Sequence, residues 1–257
     1  GMYTDKDGQQ WYIKHGAESQ HVVEDLANKI YRHAGINVPE TKLINWEGKV
    51  AHASKMLNTD GGGEVPSSIS SSHEDIHDGF FVDALLANWD VAGTGDSNLI
   101  MDSEGKVHRI DNGGSLYLKA TSGSSGEEKP FGPADDHKTP LSELETFIDP
   151  SYDMGSTRSS MFKSMDKASK QRAFEKLATL NNTSIADIVH ASGIPPYRMD
   201  EMTKALISRR NNIIQTLVDN KDGLYEIETT TAGQSFRDIE QKYKLRKEEL
   251  DAILEDN

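Results

Sequence analysis

Three polar side chains, Asp90, Asn98 and Asp111, fall at the edges of one short hairpin pattern. Asp111 lies in the run VHRIDNGGS, ends a short apolar stretch and is followed at once by Asn112, Gly113 and Gly114. Upstream is a second polar cluster, NWDVAGTGDSNLIM, over residues 88–101, and between the two DSEGK reads as a tight turn. Strands over Leu99–Met101 and Lys106–Ile110 therefore bring Asp90, Asn98 and Asp111 toward one end of a hairpin. An acid, an amide oxygen and a second acid in one place suit phosphoryl transfer, which needs a base for the acceptor hydroxyl and two hard ligands for magnesium. Turn chemistry explains Asp90, Asp96 and Asn98 equally well, since Asp, Asn and Gly all favour turns. Asp111 is harder to explain that way. It follows a strand ending and precedes a double glycine that turns the chain and leaves the carboxylate free.

A second pair lies upstream. Lys14 sits in WYIKHG, where Trp11 and Ile13 alternate with Tyr12 and Lys14 as on a half-buried strand. Ten residues on, Glu24 falls within a helical pattern. A strand lysine beside a helix glutamate can grip nucleotide phosphates. The plain alternative is a surface Lys and a surface Glu.

The elements that would position these residues change character along the chain. Met2–Tyr3 and Gln10–Lys14 flank DKDG and read as two short strands around a turn. DKDG itself fails the calcium-loop pattern, since no glutamate closes it. Ser19–Ala34 has a helical apolar period that Gly35 closes. Thr41–Ile44 and Lys49–Lys55 flank NWEG, another hairpin signal. Residues 59–72, TDGGGEVPSSISSS, read as a flexible connection. From His73 the pattern turns helical, with Ile76, Phe80, Phe81, Ala84, Leu85 and Ala87 forming one apolar face. The chain is irregular from Asp111 to about Ser160. Helices follow at about 167–181, 183–191 and 199–219, and a tail with candidate helices at Ser235–Tyr243 and Arg246–Leu254. This predicts an α+β, bilobal fold with a small β-rich lobe over residues 1–57, a mainly helical lobe over 58–220 and a helical tail over 221–257.

Charge and composition narrow the function classes. Twenty-eight basic residues against 42 acidic ones give a net charge of −14. Such a field repels phosphate backbones, so nucleic acid is not an expected partner. Between Lys55 and Lys106 there are ten acids and no Lys or Arg, so a bare nucleotide would be repelled there unless a cation came with it. With no cysteine, disulfides, zinc–thiolate sites and thiol nucleophiles are excluded. No segment approaches the ~18 apolar residues of a membrane helix. The opening GMYTDKDG is polar at once, without the pattern of a signal peptide, and Gly1 before Met2 reads as a tag-cleavage scar. A cytoplasmic location is expected, with delivery outside the cell of origin left open.

One rival metal motif is present. HEDIH, residues 73–77, matches H-E-x-x-H, which would place His73 and His77 on one helix face as zinc ligands with Glu74 as base. The same letters also describe a helix start, with Ser72 as N-cap and acids in the first turn. His15, His52 and His108 read as surface or strand histidines, and Trp11, Trp46, Trp89, Phe80 and Phe81 as core or lobe-interface residues.

The order lysine, helix glutamate, Asp, Asn, strand, Asp-x-Gly resembles the atypical branch of the protein-kinase-like superfamily. It is similar to the type II phosphatidylinositol 4-kinases, whose metal motif also departs from Asp-Phe-Gly. It also resembles the HipA-type bacterial kinases, in layout and in the style of LANKIYRHAGINVPE. The resemblance covers roughly residues 10–118. It implies a kinase-like fold, ATP and Mg2+ as cofactors, Lys14 on phosphate with Glu24 orienting it, Asp90 as catalytic base, and Asn98 and Asp111 on magnesium. A protein hydroxyl is the acceptor expected first, with a lipid or small molecule as alternatives. Two departures stand out. The usual loop places the Asn five residues after the base, whereas Asn98 is eight after Asp90. Gly93–Gly95 would have to loop outward, or Asp96 would replace Asp90. No glycine-rich loop precedes Lys14, and TDGGGEV is a substitute by composition only. The departures keep open a nucleotide-binding pseudokinase, an AMP transferase and, from another class, a non-catalytic interaction module.

Overall fold

The computed structural model describes residues 1–60, 62–66, 70–93, 97–120, 127–134, 144, 147 and 160–219, with the side chains of 218 and 219 left aside. The candidate tail helices, Asp96 and residues 94–95 lie outside these. Among the described residues the fold is α+β and two-lobed, as the periodicities predict.

The small lobe is a four-stranded antiparallel sheet of β1 (Met2–Thr4), β2 (Gln10–Lys14), β3 (Thr41–Trp46) and β4 (Lys49–Lys55), in the order β1-β2-β4-β3. Its turns have the chemistry their sequences promised. In the β3–β4 turn Glu47 and Gly48 both take positive φ, 53° and 81°, the twist that a two-residue hairpin requires. Trp11 and Ile13 of β2 cluster with Ala51 and Ala53 of β4 on the outer face. Lys14 pairs with His52 and Tyr12 with Ser54, so these residues share the opposite face, toward helix α1 (Glu18–His33).

Helix α1 ends where Gly35 adopts φ 69°, the left-handed C-terminal conformation that glycine takes without a Cβ clash. Its buried residues Val23, Leu26, Ala27, Ile30 and Tyr31 belong to the same continuous core as the large-lobe helices. The helix is therefore shared between lobes rather than carried by the sheet alone.

The large lobe contains α2 (Glu74–Asp78), α3 (Phe80–Leu85), the hairpin β5 (Leu99–Met101) and β6 (Val107–Arg109), a single 3-10 turn at Asn112–Gly114, and helices α4 (Lys167–Ala178), α5 (Asn182–His190) and α6 (Pro196–Asp219). The apolar pattern from His73 predicts a continuous helix, but it is broken at Gly79. The cause is Arg109. Its guanidinium is fully buried, pairs with Asp83 at 2.8 Å and donates to the carbonyls of Asp75 and Ile76. A Cβ on residue 79 would lie 2.1 Å from it. The arginine takes carbonyls that a continuing helix would use itself, and only glycine leaves it room.

The presumed flexible connection is tied down where it is described. Gly63 O accepts from Met101 N, and Glu64 bridges to Ile100, so this segment runs along β5. Among the described residues, no helix is long and apolar enough to cross a membrane.

Candidate functional site

Between the lobes lies a cleft of about 1160 Å³, somewhat larger than most small-molecule sites. Lys14, Glu24, Asp90, Asn98 and Asp111 all line it. So do Gly62 and Gly63 of the TDGGGEV segment, whose candidacy rested on composition alone.

The strand-then-helix spacing places Lys14 and Glu24 face to face. Lys14 Nζ lies 2.7 and 2.9 Å from the two Glu24 carboxylate oxygens. It is also 2.8 Å from Asp111 Oδ1. The carboxylate expected to stand free is thus engaged by the lysine, while its side chain remains 62% exposed at the cleft. Burial pushes the Glu24 carboxyl above its usual range, with Lys14 opposing the shift. Burial disfavours the Lys14 charge, but Glu24 and Asp111 more than offset this and raise its pKa. The lysine therefore stays cationic.

Asp111 makes the sharp turn itself. Its φ of 54° and ψ of 47° are left-handed, and the 3-10 turn follows directly. Of the two glycines only Gly114 is needed for close approach, since a Cβ on Gly113 would make ordinary contacts. A Cβ on Gly113 would lie 3.6 Å from Glu24 Oε2, and one on Gly114 only 2.5 Å from Ala120 Cβ.

Asp90 and Asn98 meet despite their eight-residue separation. Asn98 Nδ2 donates to the Asp90 carbonyl at 2.7 Å and to Asp90 Oδ2 at 3.2 Å. Of the segment expected to loop outward, Gly93–Gly95, only Gly93 is described. Gly93 is buried, with φ 67°, and a Cβ there would sit 2.5 Å from Ser97 Oγ and 2.8 Å from Asn98 Cγ. The chain folds inward at Gly93, and the rest of the extra segment, with Asp96, lies outside the described residues. Asn98 O accepts from Ile110 N at 2.9 Å, which sets Asn98 beside the strand that leads into Asp111.

The HEDIH histidines point apart. His73 is itself the N-cap of α2, in place of Ser72, and its Nε2 faces Gly105 O at 3.2 Å. His77 is buried against Ser169 Oγ and the carbonyls of Ser71 and Met161. Among the described residues no group of three or more acidic or histidine side chains is placed to hold a metal. The alternation in the sequence gave no reason to single out His52, yet it is fully buried beside the site. Its Nδ1 lies 3.8 Å from Glu24 Oε2, and burial lowers its pKa to about 4, so it is neutral. His15 lies exposed at the cleft, and His108 binds Asp102 at 2.7 Å in the hairpin turn.

Sequence reasoning also missed Lys129. Its buried ammonium donates to Ala87 O at 2.5 Å and Gly114 O at 2.8 Å, joining the segment before Asp90 to the segment after Asp111. Nothing around GEEKPFG marks that lysine, because its partners are backbone carbonyls distant in the chain.

No family model matches this chain, and no curated protein matches it either. Among solved structures it is similar to a Helicobacter pylori proinflammatory kinase, CtkA, with a TM-score of 0.49 and 13% identity over 80% of this chain and 85% of that one. It is also similar to the N-terminal 618-residue fragment of LepB from Legionella pneumophila, with a TM-score of 0.39 and 9% identity over 100% of this chain. This chain spans about half of that fragment, 52%. At such scores neither likeness bears on function, which must be read from the site itself.

Proposed function

We propose that this chain is an ATP-dependent phosphotransferase of the atypical kinase type, acting on a protein hydroxyl. The observation that carries the proposal is the placement of Lys14 between Glu24 and Asp111 in a cleft that also holds Asp90 and Asn98. Five side chains from four separate segments converge there, in the order and setting that phosphoryl transfer uses.

The donor set fits a hard cation brought in with nucleotide. The Asn98 amide nitrogen is turned to Asp90, which leaves its oxygen as the remaining donor atom. Asp111 adds an exposed carboxylate. Magnesium takes one or two such oxygens together with phosphate oxygens. When bound, the ion neutralises charge developing on the transferred phosphoryl group. Lys14 would bind phosphate, with Glu24 holding it in place, and nucleotide would then compete with Asp111 for the ammonium. Asp90 would accept the proton of the incoming hydroxyl. TDGGGEV, at the cleft wall, is the segment we assign to covering the phosphates in place of a glycine-rich loop before Lys14.

A protein acceptor ranks ahead of a lipid because the net charge of −14 disfavours an anionic membrane surface. Transfer of label from the γ-phosphate of ATP to protein, dependent on magnesium and lost in Asp90→Asn, tests the reading. Magnesium-dependent thermal stabilisation by ATP without any γ-phosphate transfer would instead support nucleotide binding or AMP transfer. The hydrogen bond from Asn98 to the Asp90 carboxylate, 3.2 Å long, favours that second reading, since it engages the base with its neighbour.

A further inference from the structure

Glu24, the partner of Lys14, stands on helix α1, whose buried residues lie in one core with the large-lobe helices. Three buried asparagines connect that helix to the two loops of the site. Asn112 Nδ2 donates to Asn28 Oδ1 at 2.8 Å, and Asn88 Nδ2 donates to Asn112 Oδ1 at 3.0 Å. All three are at most 2% exposed.

Their positions are specific. Asn28 is one helical turn after Glu24, so both face the same side of α1. Asn88 precedes Asp90 by two residues, and Asn112 follows Asp111 directly. Each asparagine thus stands beside a different group of the site, and the three meet behind it. In both loops the residue just before the asparagine is a non-glycine in the left-handed region, Ala87 at φ 48° and Asp111 at φ 54°. Such conformations persist only where surrounding contacts over-determine them. The chain continues inward. Asn88 Nδ2 also donates to Tyr31 OH at 3.0 Å, Tyr31 OH donates to Asp83 at 2.8 Å, and Asp83 is held by Arg109. The bracket is therefore anchored on a fully buried ion pair of the large lobe. Removing one amide would leave buried partners unsatisfied at both ends.

We propose that Asn28, Asn88 and Asn112 form a bracket that fixes helix α1 to both site loops, so that the Lys14–Glu24 pair is assembled before nucleotide arrives, with Asn112 as the central positioning residue. The helix then does not swing to switch the site on. Regulation by helix displacement is closed to this chain, and control must act on access to the cleft or on the acceptor. The activity arm of the test rests on the phosphotransfer reading; the structural arm does not.

Hydrogen exchange of the ligand-free protein tests the bracket. In Asn112→Ala, amides of α1 and of residues 86–92 should exchange at least tenfold faster, and together. Ile213→Ala, which truncates a buried α6 side chain outside the site, should not single out those segments. In the wild type, magnesium-ATP should slow exchange in α1 no more than in α4. Asn28→Ala removes the same bond from the helix side and serves if Asn112→Ala does not fold. In the activity arm, Asn112→Ala should lower kcat at least tenfold with a smaller change in KM for ATP, while Ile213→Ala leaves kcat unchanged. Exchange in α1 matching the Ile213→Ala control, or α1 slowing tenfold more than α4 on nucleotide binding, would overturn the bracket. A wild type that transfers no phosphate would sink the phosphotransfer reading, and the exchange data would still decide the bracket.

Discussion

Lys14 is held by two carboxylates at once, 2.7 Å from Glu24 and 2.8 Å from Asp111. The two contacts differ in kind. Glu24 is almost completely buried, whereas the Asp111 side chain is 62% exposed. One contact satisfies a buried charge, and the other holds a metal-ligand candidate in waiting.

Lys14→Met should therefore do more than remove a phosphate ligand. It strands the Glu24 charge in the interior, and breaking a well-buried pair costs ~3–5 kcal/mol. Because the Lys14 side chain is 23% exposed, the expected loss is smaller, about 1–3 kcal/mol. Adding Glu24→Gln should restore most of that stability without restoring activity. Urea unfolding of the single and double variants is the measurement, and a double variant no more stable than the single one would count against this account.

Asp111→Asn removes one exposed anion and should shift stability by less than about 1 kcal/mol. Its effect should appear in the ligand. Affinity for magnesium-ATP should fall at least tenfold, while binding of ATP in chelator is unchanged or tighter, because Lys14 loses a competitor. Titration calorimetry with and without magnesium separates the two. An equal change under both conditions would remove Asp111 from the metal site.

Asp90→Asn keeps an acceptor oxygen for the Asn98 amide but cannot take a proton at neutral pH. Turnover should fall by about 10²–10⁴ with nucleotide affinity nearly constant. Full activity in Asp90→Asn together with a dead Asp96→Ala would reverse the two roles.

Folding stability should fall with acid through His52. Burial depresses its pKa from 6.5 to about 4. Between those values the unfolded chain binds a proton that the native chain refuses. The stability from keeping His52 neutral is thus fully present above about pH 6.5 and is lost as pH falls through about 4, on the order of 3 kcal/mol in all. His21 and His77, also lowered by burial, act in the same direction. His52→Gln should flatten unfolding midpoints measured from pH 6.5 to 4.5. A variant with the wild-type slope would show that the other groups account for the whole effect.

Much of the architecture was legible along the chain because its causes are local. Glu47-Gly48 and Asp5–Gly8 carry their own turn chemistry, and α1 and α4–α6 announce themselves through a 3.6-residue apolar period. The helix break at Gly79 was not legible, because its cause, the Arg109 guanidinium, arrives from 30 residues away. The inward fold at Gly93 was likewise hidden, since a glycine in sequence does not say which side of the chain needs the space.

The site divides in the same way. Residue type and order, read with the resemblance to atypical kinases, singled out Lys14, Glu24, Asp90, Asn98 and Asp111 as candidates, because a strand, a helix and a hairpin restrict where such side chains can sit. Tertiary structure decided how they engage one another: that Asp111 is bound by Lys14, that Asn98 reaches Asp90 across an enlarged loop, and that His52 and Lys129 belong behind the site. It alone produced the asparagine bracket, since asparagines at 28, 88 and 112 have no pattern in one dimension. The physical reason is that hydrogen bonds between buried amides depend on distances in space, and folding makes neighbours of Asn28 and Asn112, 84 positions apart.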